Sequence, residues 1–420
     1  MEAHRQIAHR SRSLAVLNVV LDLLRRSLSY LPPVLPPASR PARPRPRFNR
    51  HELAGAFGDL GTTLPLLIGV LAASDLDPAS VLVVFGLLQV ASGLGYGLPM
   101  AVQPLKAFAA LVISQHLPAR VVLGGGLAIG GAMLLLTLTG LVDRLARLVP
   151  RPVVRGIQLG LALQLATLAL KEYVPADGPA GYALAAVALG LTGALLGHRR
   201  WPAALVVVAL GVAYGLLLRL DWPTAYRALA PRLPRWHVPT AADIAAGALL
   251  LALPQLPLSL ANSVLATQRV ALDYFPDRPL TVRRISLTYA LMNLVSPFFG
   301  GFPVCHGSGG LVGHYTFGGR TGGSVVLAGG LFVGVGLFFS QGVAQLTRVF
   351  PLPVLGVLLL FEALTLAALL RDVAGTRAHL RVALLVGLLA AGLPYGYLVG
   401  LVVGTAAHYA LGRGWAGRDE

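Results

Sequence analysis

The strongest constraint on the fold is a series of long, almost uncharged apolar stretches that begins near Glu52 and runs nearly to the end of the chain. Each has about 20 residues, the length an α-helix needs to cross a hydrocarbon core about 30 Å thick. No water reaches backbone N–H and C=O groups there, so these stretches must be helices that satisfy those groups internally. Twelve read this way: 53–74, 79–98, 119–141, 151–171, 180–197, 202–219, 241–262, 281–300, 324–343, 350–370, 375–393 and 394–411. Composition agrees. Of 420 residues, 12% are charged and 55% hydrophobic, whereas an ordinary soluble protein is about 25% charged. A soluble globular enzyme and a disordered chain are both excluded. The expected class is an all-α polytopic membrane protein.

On a soluble protein, the net charge of +17 would point to nucleic acid. In a membrane chain, basic residues gather in cytoplasmic loops and set orientation, so no nucleic-acid partner is expected. With both termini cytoplasmic, fourteen basic residues fall in inside loops and seven in outside loops. Lys106 and Lys171 are the only lysines. The Arg preference suggests a GC-rich bacterial genome, hence the bacterial inner membrane. One cysteine, Cys305, allows no intrachain disulfide. Residues 1–50 hold ten Arg and a Pro/Arg-rich run, and are expected to be extended or disordered. They are either a cytoplasmic tail beside anionic lipid or sequence ahead of the true start.

Two segments do not read as full spans. Met100–Leu117 is bounded and broken by Pro99, Pro104 and Pro118. Its helical part, starting near Pro104, would reach only about 21 Å. Gly301–Gly323 is Gly-rich and polar. The two occupy matching places in two halves, 51–219 and 241–411, with two spans before each and four after. Interrupted segments at corresponding positions point to the binding site of an inverted-repeat transporter. Seven elements per half is odd, so the halves should insert in opposite senses. A 7+7 inverted-repeat fold with two half-helices follows, about twelve full spans plus two broken ones. Residues 220–240 would form an interfacial connector and 412–420 a short tail. Glycine pairs such as Gly156/Gly160 and Gly330/Gly334 are assigned to helix packing.

Ionisable side chains within a bilayer are costly and therefore candidates for function. Asp59 sits between Gly58 and Gly61, six residues before Pro65, in a span expected to unwind locally. It is either a coupling or gating carboxylate, a cap on a broken helix, or a carboxylate at the span's mouth. Lys106 falls in the first turn of the first half-helix, beside Gln103 and Pro104. A helix N-terminus carries a partial charge of about +0.5 and favours anions. Lys106 either completes an anion site there, snorkels to an interface or pairs with a carboxylate. In the second broken segment Val304–Cys305 matches Val102–Gln103. His306, Gly307, Ser308 and Gly309 then open a Gly/Ser-rich turn that is either an anion nest or a plain bend. Glu362, mid-span, either carries a proton or pairs with a neighbouring helix. Thr62, Gln255, Asn262 and Ser263 are weaker polar liners. Two facing half-helices and Lys106 amount to a charge of about +2, which suits a tetrahedral dianion. Carrying a dianion into a negative-inside cell costs about 4.6 kcal/mol at 100 mV, so protons are the simplest co-substrate. Asp59, Glu362 and His306 are the groups to bind them. The spacing of a metal site or a catalytic triad is missing, and no enzyme activity, metal or cofactor is expected.

At these residues the chain resembles the molybdate transporter family, relatives of the sulfate permeases. The blocks are Gly58-Asp-Leu-Gly-Thr-Thr-Leu-Pro65, Val102-Gln-Pro-Leu-Lys106, Arg155-Gly-Ile-Gln-Leu-Gly-Leu161, Gln255-Leu-Pro-Leu-Ser259 with Asn262-Ser263, and Pro303-Val-Cys-His-Gly-Ser-Gly-Gly-Leu311. The resemblance covers Glu52 to the last span. It implies oxyanion uptake, molybdate first, in the seven-plus-seven inverted-repeat fold shared with sulfate permeases and nucleobase transporters. It puts the substrate between the half-helices, at Gln103, Lys106, Cys305, His306, Gly307 and Ser308, with Asp59 beside it. Together with the charge arithmetic, the resemblance makes the expected function secondary active, proton-coupled uptake of molybdate by alternating access. Alternatives are a sulfate or broad oxyanion transporter (tungstate included) and an anion channel of the same fold. The expected partners are the oxyanion, protons and the lipid bilayer, with a homodimer left open. There are departures: Ala101 stands for Pro, Leu105 for Met, Thr316 for Arg and Gly319 for Ala. No soluble C-terminal domain like that of sulfate permeases is expected beyond Glu420.

Overall fold

The computed structural model describes residues 45–195, 203–219, 223, 231–339, 351–393 and 395–414. The expected tail up to residue 44, part of the connector 220–240 and the end after 414 lie outside the described residues.

The first half comprises α1 (Arg50–Ala56), α2 (Leu60–Ala73), α3 (Pro78–Tyr96), strand β1 (Val102–Pro104), α4 (Lys106–Gln115), α5 (Ala119–Leu138), α6 (Leu141–Leu148), α7 (Arg151–Leu168), α8 (Gly178–Leu195) and α9 (Ala203–Tyr214). The second half opens with α10. It runs from Ala241–Gly247 through π-helical Ala248–Ala252, α-helical Leu253–Leu258 and π-helical Ser259–Ala266 to Thr267–Tyr274. There follow α11 (Val282–Val295), strand β2 (Val304–His306), α12 (Ser308–Thr316), α13 (Gly323–Phe339), α14 (Leu352–Ala368), α15 (Arg371–Ala374), α16 (Arg377–Gly392) and α17 (Gly396–Gly414). The protein is mostly helical and a multi-pass membrane protein. Among the described residues, five helices are long and apolar enough to cross a bilayer on length and composition.

Two boundaries differ from the sequence expectation, each for a local reason. The span 53–74 is two helices separated by a turn at Phe57–Asp59, where Gly58 comes against the backbone of Gly313. The span 241–262 continues to Tyr274. Pro254 and Pro257 each remove an N–H, and a ladder that widens to π-turns carries the helix past the break. The first half-helix starts at Lys106, two residues after Pro104. Pro104 belongs to the strand, and the Leu105 N–H continues the strand ladder by donating to Pro303 O (3.1 Å).

The helices form two groups. In one, α3 lies along α13, α5 along α11 and the start of α10, and α1 against α13. In the other, α7 packs on α14, α16 and α17, and α8 on α14. Small residues allow the close approaches. A Cβ on Gly86 would lie 2.5 Å from Gly329 O, and one on Gly160 2.4 Å from the Ala390 Cβ. Gly330 and Gly334, expected at a helix contact, face open space, and their neighbours Gly329 and Gly336 make the contact with α3.

A buried ribbon that launches two half-helices

β1 and β2 pair antiparallel: Val102 opposite His306, Gln103 opposite Cys305, Pro104 opposite Val304. Each strand leads within two residues into a half-helix. α4 has 10 residues and α12 has 9, so each spans about 14–15 Å, half of a hydrocarbon core. Because the strands run in opposite directions, so do the half-helices. Pro104 faces Val304, three residues from Gly307, an offset of about 10 Å along the ribbon.

Two strands alone leave outward-facing N–H and C=O groups that a dry interior requires to be paired. Each strand here is held by one amide side chain from the helix before it. Gln89 on α3 donates to Val102 O and accepts from Val102 N, both at 2.9 Å. Asn293 on α11 donates to Val304 O (2.7 Å) and accepts from Val304 N (2.8 Å). Three residues after each amide comes a serine. Ser92 Oγ donates to Met100 O (2.6 Å) and Ser296 Oγ to Gly301 O (3.1 Å). Sequence reasoning missed all four. The signal was there: an amide-x-x-Ser pattern, Gln89-Val-Ala-Ser92 and Asn293-Leu-Val-Ser296, in the span before each broken segment.

Strand residues directly opposite share a face, so Gln103 and Cys305 project to one side of the ribbon and Val102 and His306 to the other. On the first face the structure brings four predicted residues together. Asp59, at the break between α1 and α2, is 5% exposed, Gln103 0%, Lys106 7% and Cys305 3%. Gln103 Nε2 donates to Asp59 Oδ1 (2.5 Å), and Thr63 Oγ1 donates to Asp59 Oδ2 (2.9 Å). Cys305 hydrogen-bonds the Ser263 side chain and lies within electrostatic reach of both Lys106 and Asp59. Asp59 precedes α2 without capping it through its side chain.

His306 is not part of this group. Its ring points to the other face, where Nδ1–H donates to Ala101 O (3.3 Å) and Nε2 meets the Thr288 hydroxyl (2.8 Å). The ring also packs edge-on against Tyr96. Both nitrogens are engaged in holding the ribbon. Gln255, expected to line a cavity, caps a helix: its Oε1 accepts the Phe108 N–H of α4 (3.0 Å), and its Nε2 donates to Ser259 Oγ (3.1 Å). Asn262 Oδ1 accepts from Ser308 Oγ (3.0 Å), with both side chains half-buried beside exposed Gly309. Thr62 is half-buried on the first turn of α2. Glu362 is on α14, and its side chain lies outside the described residues.

The end of α12 contrasts with the capped end of α4. A Cβ on Gly307 would fall 1.5 Å from Gln103 Oε1, and that oxygen is buried with no hydrogen-bond partner. A Cβ on Gly310 would come within 3.1 Å of Asp59 Oδ2. The Asp59–Gln103 pair thus lies across the first turn of α12. Gly309 has no atom within 4 Å of where its Cβ would be. Chemically this is one buried cation, one buried carboxylate, two helix N-termini and an opening at Ser308–Gly309. Such an arrangement can hold an anion and move a proton. Among the described residues there is no cluster of metal-ligating side chains.

Comparison with known proteins agrees with the fold. Among solved structures, the transmembrane domain of the cyanobacterial bicarbonate transporter BicA matches with TM-score 0.61 at 16% identity, over 86% of this chain and 98% of that one. SLC26A9 matches with TM-score 0.65 at 13% identity, over 85% of this chain and 64% of that one. These similarities establish the fold. Sequence relatives include Molybdate transporter 2 of Arabidopsis thaliana, 32% identical over 76% of this chain and 79% of the relative. Molybdate transporter 1 of the same plant is 34% identical over 76% and 80%. Molybdate transporter 1 of Chlamydomonas reinhardtii is 31% identical over 85% and 91%. The family model described as "Molybdate transporter of MFS superfamily" matches residues 51–165 and 247–366, stretches that contain Asp59, the ribbon and both half-helices. This is a family of transporters and not of enzymes, and the chain belongs to it: it is a member of the molybdate transporter family.

Proposed function

We propose that this protein carries molybdate into the cell by secondary active, proton-coupled transport through alternating access. The observation that carries the reading is the ribbon. Two oppositely directed half-helices start from it, with Lys106 and Asp59 buried at the same place. Two N-termini and one lysine amount to a charge of about +2, matched to a tetrahedral dianion. The backbone N–H groups at Gly307–Gly310 and the Ser308 hydroxyl would meet its oxygens, and the Lys106 ammonium its charge.

The same proposal includes a seven-plus-seven inverted repeat. Three features support it: the amide clamp occurs once per half, α3–α13 mirrors α11–α5, and the family match falls in two stretches of similar length. The ribbon group of helices would then move against the group built on α7 and α14. Basic loops favour cytoplasmic termini, and the Arg-rich composition favours a bacterial inner membrane.

The test is uptake of labelled molybdate into proteoliposomes. Accumulation driven by an imposed pH gradient, and unaffected by a hundredfold excess of sulfate, is the expected result. Inhibition by sulfate would make it a broad oxyanion transporter. Purely downhill flux would make it a channel.

A further inference from the structure

One charge at the site is unfavourable to the substrate. With Asp59 ionised, the approximate +2 of the two helix ends and Lys106 falls to about +1. The carboxylate is not merely near. Gln103 holds it, and Oδ2 lies against Gly310 in the first turn of α12. Beside it the buried Gln103 Oε1 lies over Gly307 with no hydrogen-bond partner. Two oxygens, one of them charged, thus lie against the first turn of α12, beside the helix's positive end. An amide oxygen buried without a donor is costly, so the arrangement is set for exchange with a better ligand.

We infer that the ionised Asp59 carboxylate, held by Gln103 across the first turn of α12, is a built-in stand-in for the oxyanion, and that Asp59 takes up one proton when molybdate binds. This rests on the proton-coupled reading and gives it a mechanism. A dianion and an ionised Asp59 exclude each other, whereas a dianion and a protonated Asp59 match the charge of about +2. By linkage, molybdate then binds with a proton, and protonation strengthens binding to the same extent. The other charged or titratable groups nearby are accounted for. Lys106 and Cys305 share the face. His306 is engaged with Ala101 and Thr288. Glu52 on α1 accepts from Arg320, Thr321 and Ser324 at the start of α13. His314 is one turn beyond Gly310 on α12, and Tyr214 and Glu362 belong to α9 and α14, which pack on α2.

The experiment is titration of the purified full-length protein with sodium molybdate, in the neutral to alkaline range where molybdate itself takes no proton. Calorimetry in buffers of different ionisation enthalpy counts protons. The wild type should take up about one proton per molybdate, with affinity falling roughly tenfold per pH unit on the alkaline side. Asp59→Asn should take up none, bind independently of pH, and at the alkaline end bind at least ten times more tightly than the wild type. Gln103→Leu, which keeps the carboxylate but removes its amide donor, should keep the proton uptake and extend binding to higher pH. If Asp59→Asn does not fold, the wild-type proton count and the Gln103→Leu shift decide. Proton-neutral binding by the wild type, or an unchanged pH slope in Asp59→Asn, overturns the inference. When binding is proton-neutral but uptake still follows a pH gradient, this inference alone fails. If the wild type binds no molybdate at any pH, the proposed function fails with it.

Discussion

The two half-helices have the same topology and opposite chemistry. α4 starts with a lysine, its Phe108 N–H is taken by Gln255, and its first residues are buried. α12 starts with Gly307, Ser308, Gly309 and Gly310, is exposed at Gly309, and has the Asp59–Gln103 pair across it. One end contributes fixed charge; the other contributes backbone donors and space. A dianion needs both. Long-range charge sets affinity, and only backbone N–H groups free of side-chain bulk can crowd around a small tetrahedral ion.

Lys106→Ala should produce the largest effect, because it removes the full positive charge on the α4 side. Removing one partner of a buried charge pair costs about 3 kcal/mol, roughly a hundredfold in molybdate Kd. Unchanged affinity would break the assignment of charge to α4. Next come the clamps. Asn293→Leu leaves the buried N–H and C=O of Val304 without partners, at about 2–3 kcal/mol of stability, read as a lowered Tm. Gln89→Leu should cost a similar amount at Val102, and a large inequality would show that the two halves do not share one design. Gln255→Leu removes one cap from α4 and should cost about 1–2 kcal/mol, with no effect on the α12 side. The smallest change in stability is expected of Gly309→Ala, within about 0.5 kcal/mol, since nothing lies within 4 Å of the new Cβ. Its molybdate affinity should nevertheless fall, because the methyl group enters the anion's space. Full affinity in that variant would remove Gly309 from the site.

Much of this was legible in the residues. Uncharged runs mark the spans because a bilayer rejects charge, and the prolines around Pro104 and the glycines after Cys305 mark the two interruptions. What the residues did not show has physical causes. The spacing of His306 from Gly307 and Ser308 suggests one shared face, but a strand alternates faces, and the pairing with Val102 turns the ring towards Tyr96. Gln255 looked like a liner because an amide in an apolar span needs a partner, and nothing local identifies that partner as the Phe108 N–H, 147 residues away. Gln89 and Asn293 raised no flag for the same reason: their partners are backbone atoms of a strand that exists only once its mate arrives.

By itself, then, the sequence determined that the chain lives in a membrane, where its helices are interrupted, and that Asp59 and Lys106 are buried. Hydropathy, proline and glycine act over a few residues, so these features are local. Tertiary structure alone decided that two interruptions some 200 residues apart join in one ribbon, which side chains share a face of it, and that the Asp59 carboxylate lies against the first turn of α12. Those are consequences of register and packing between distant segments, and no local pattern encodes them.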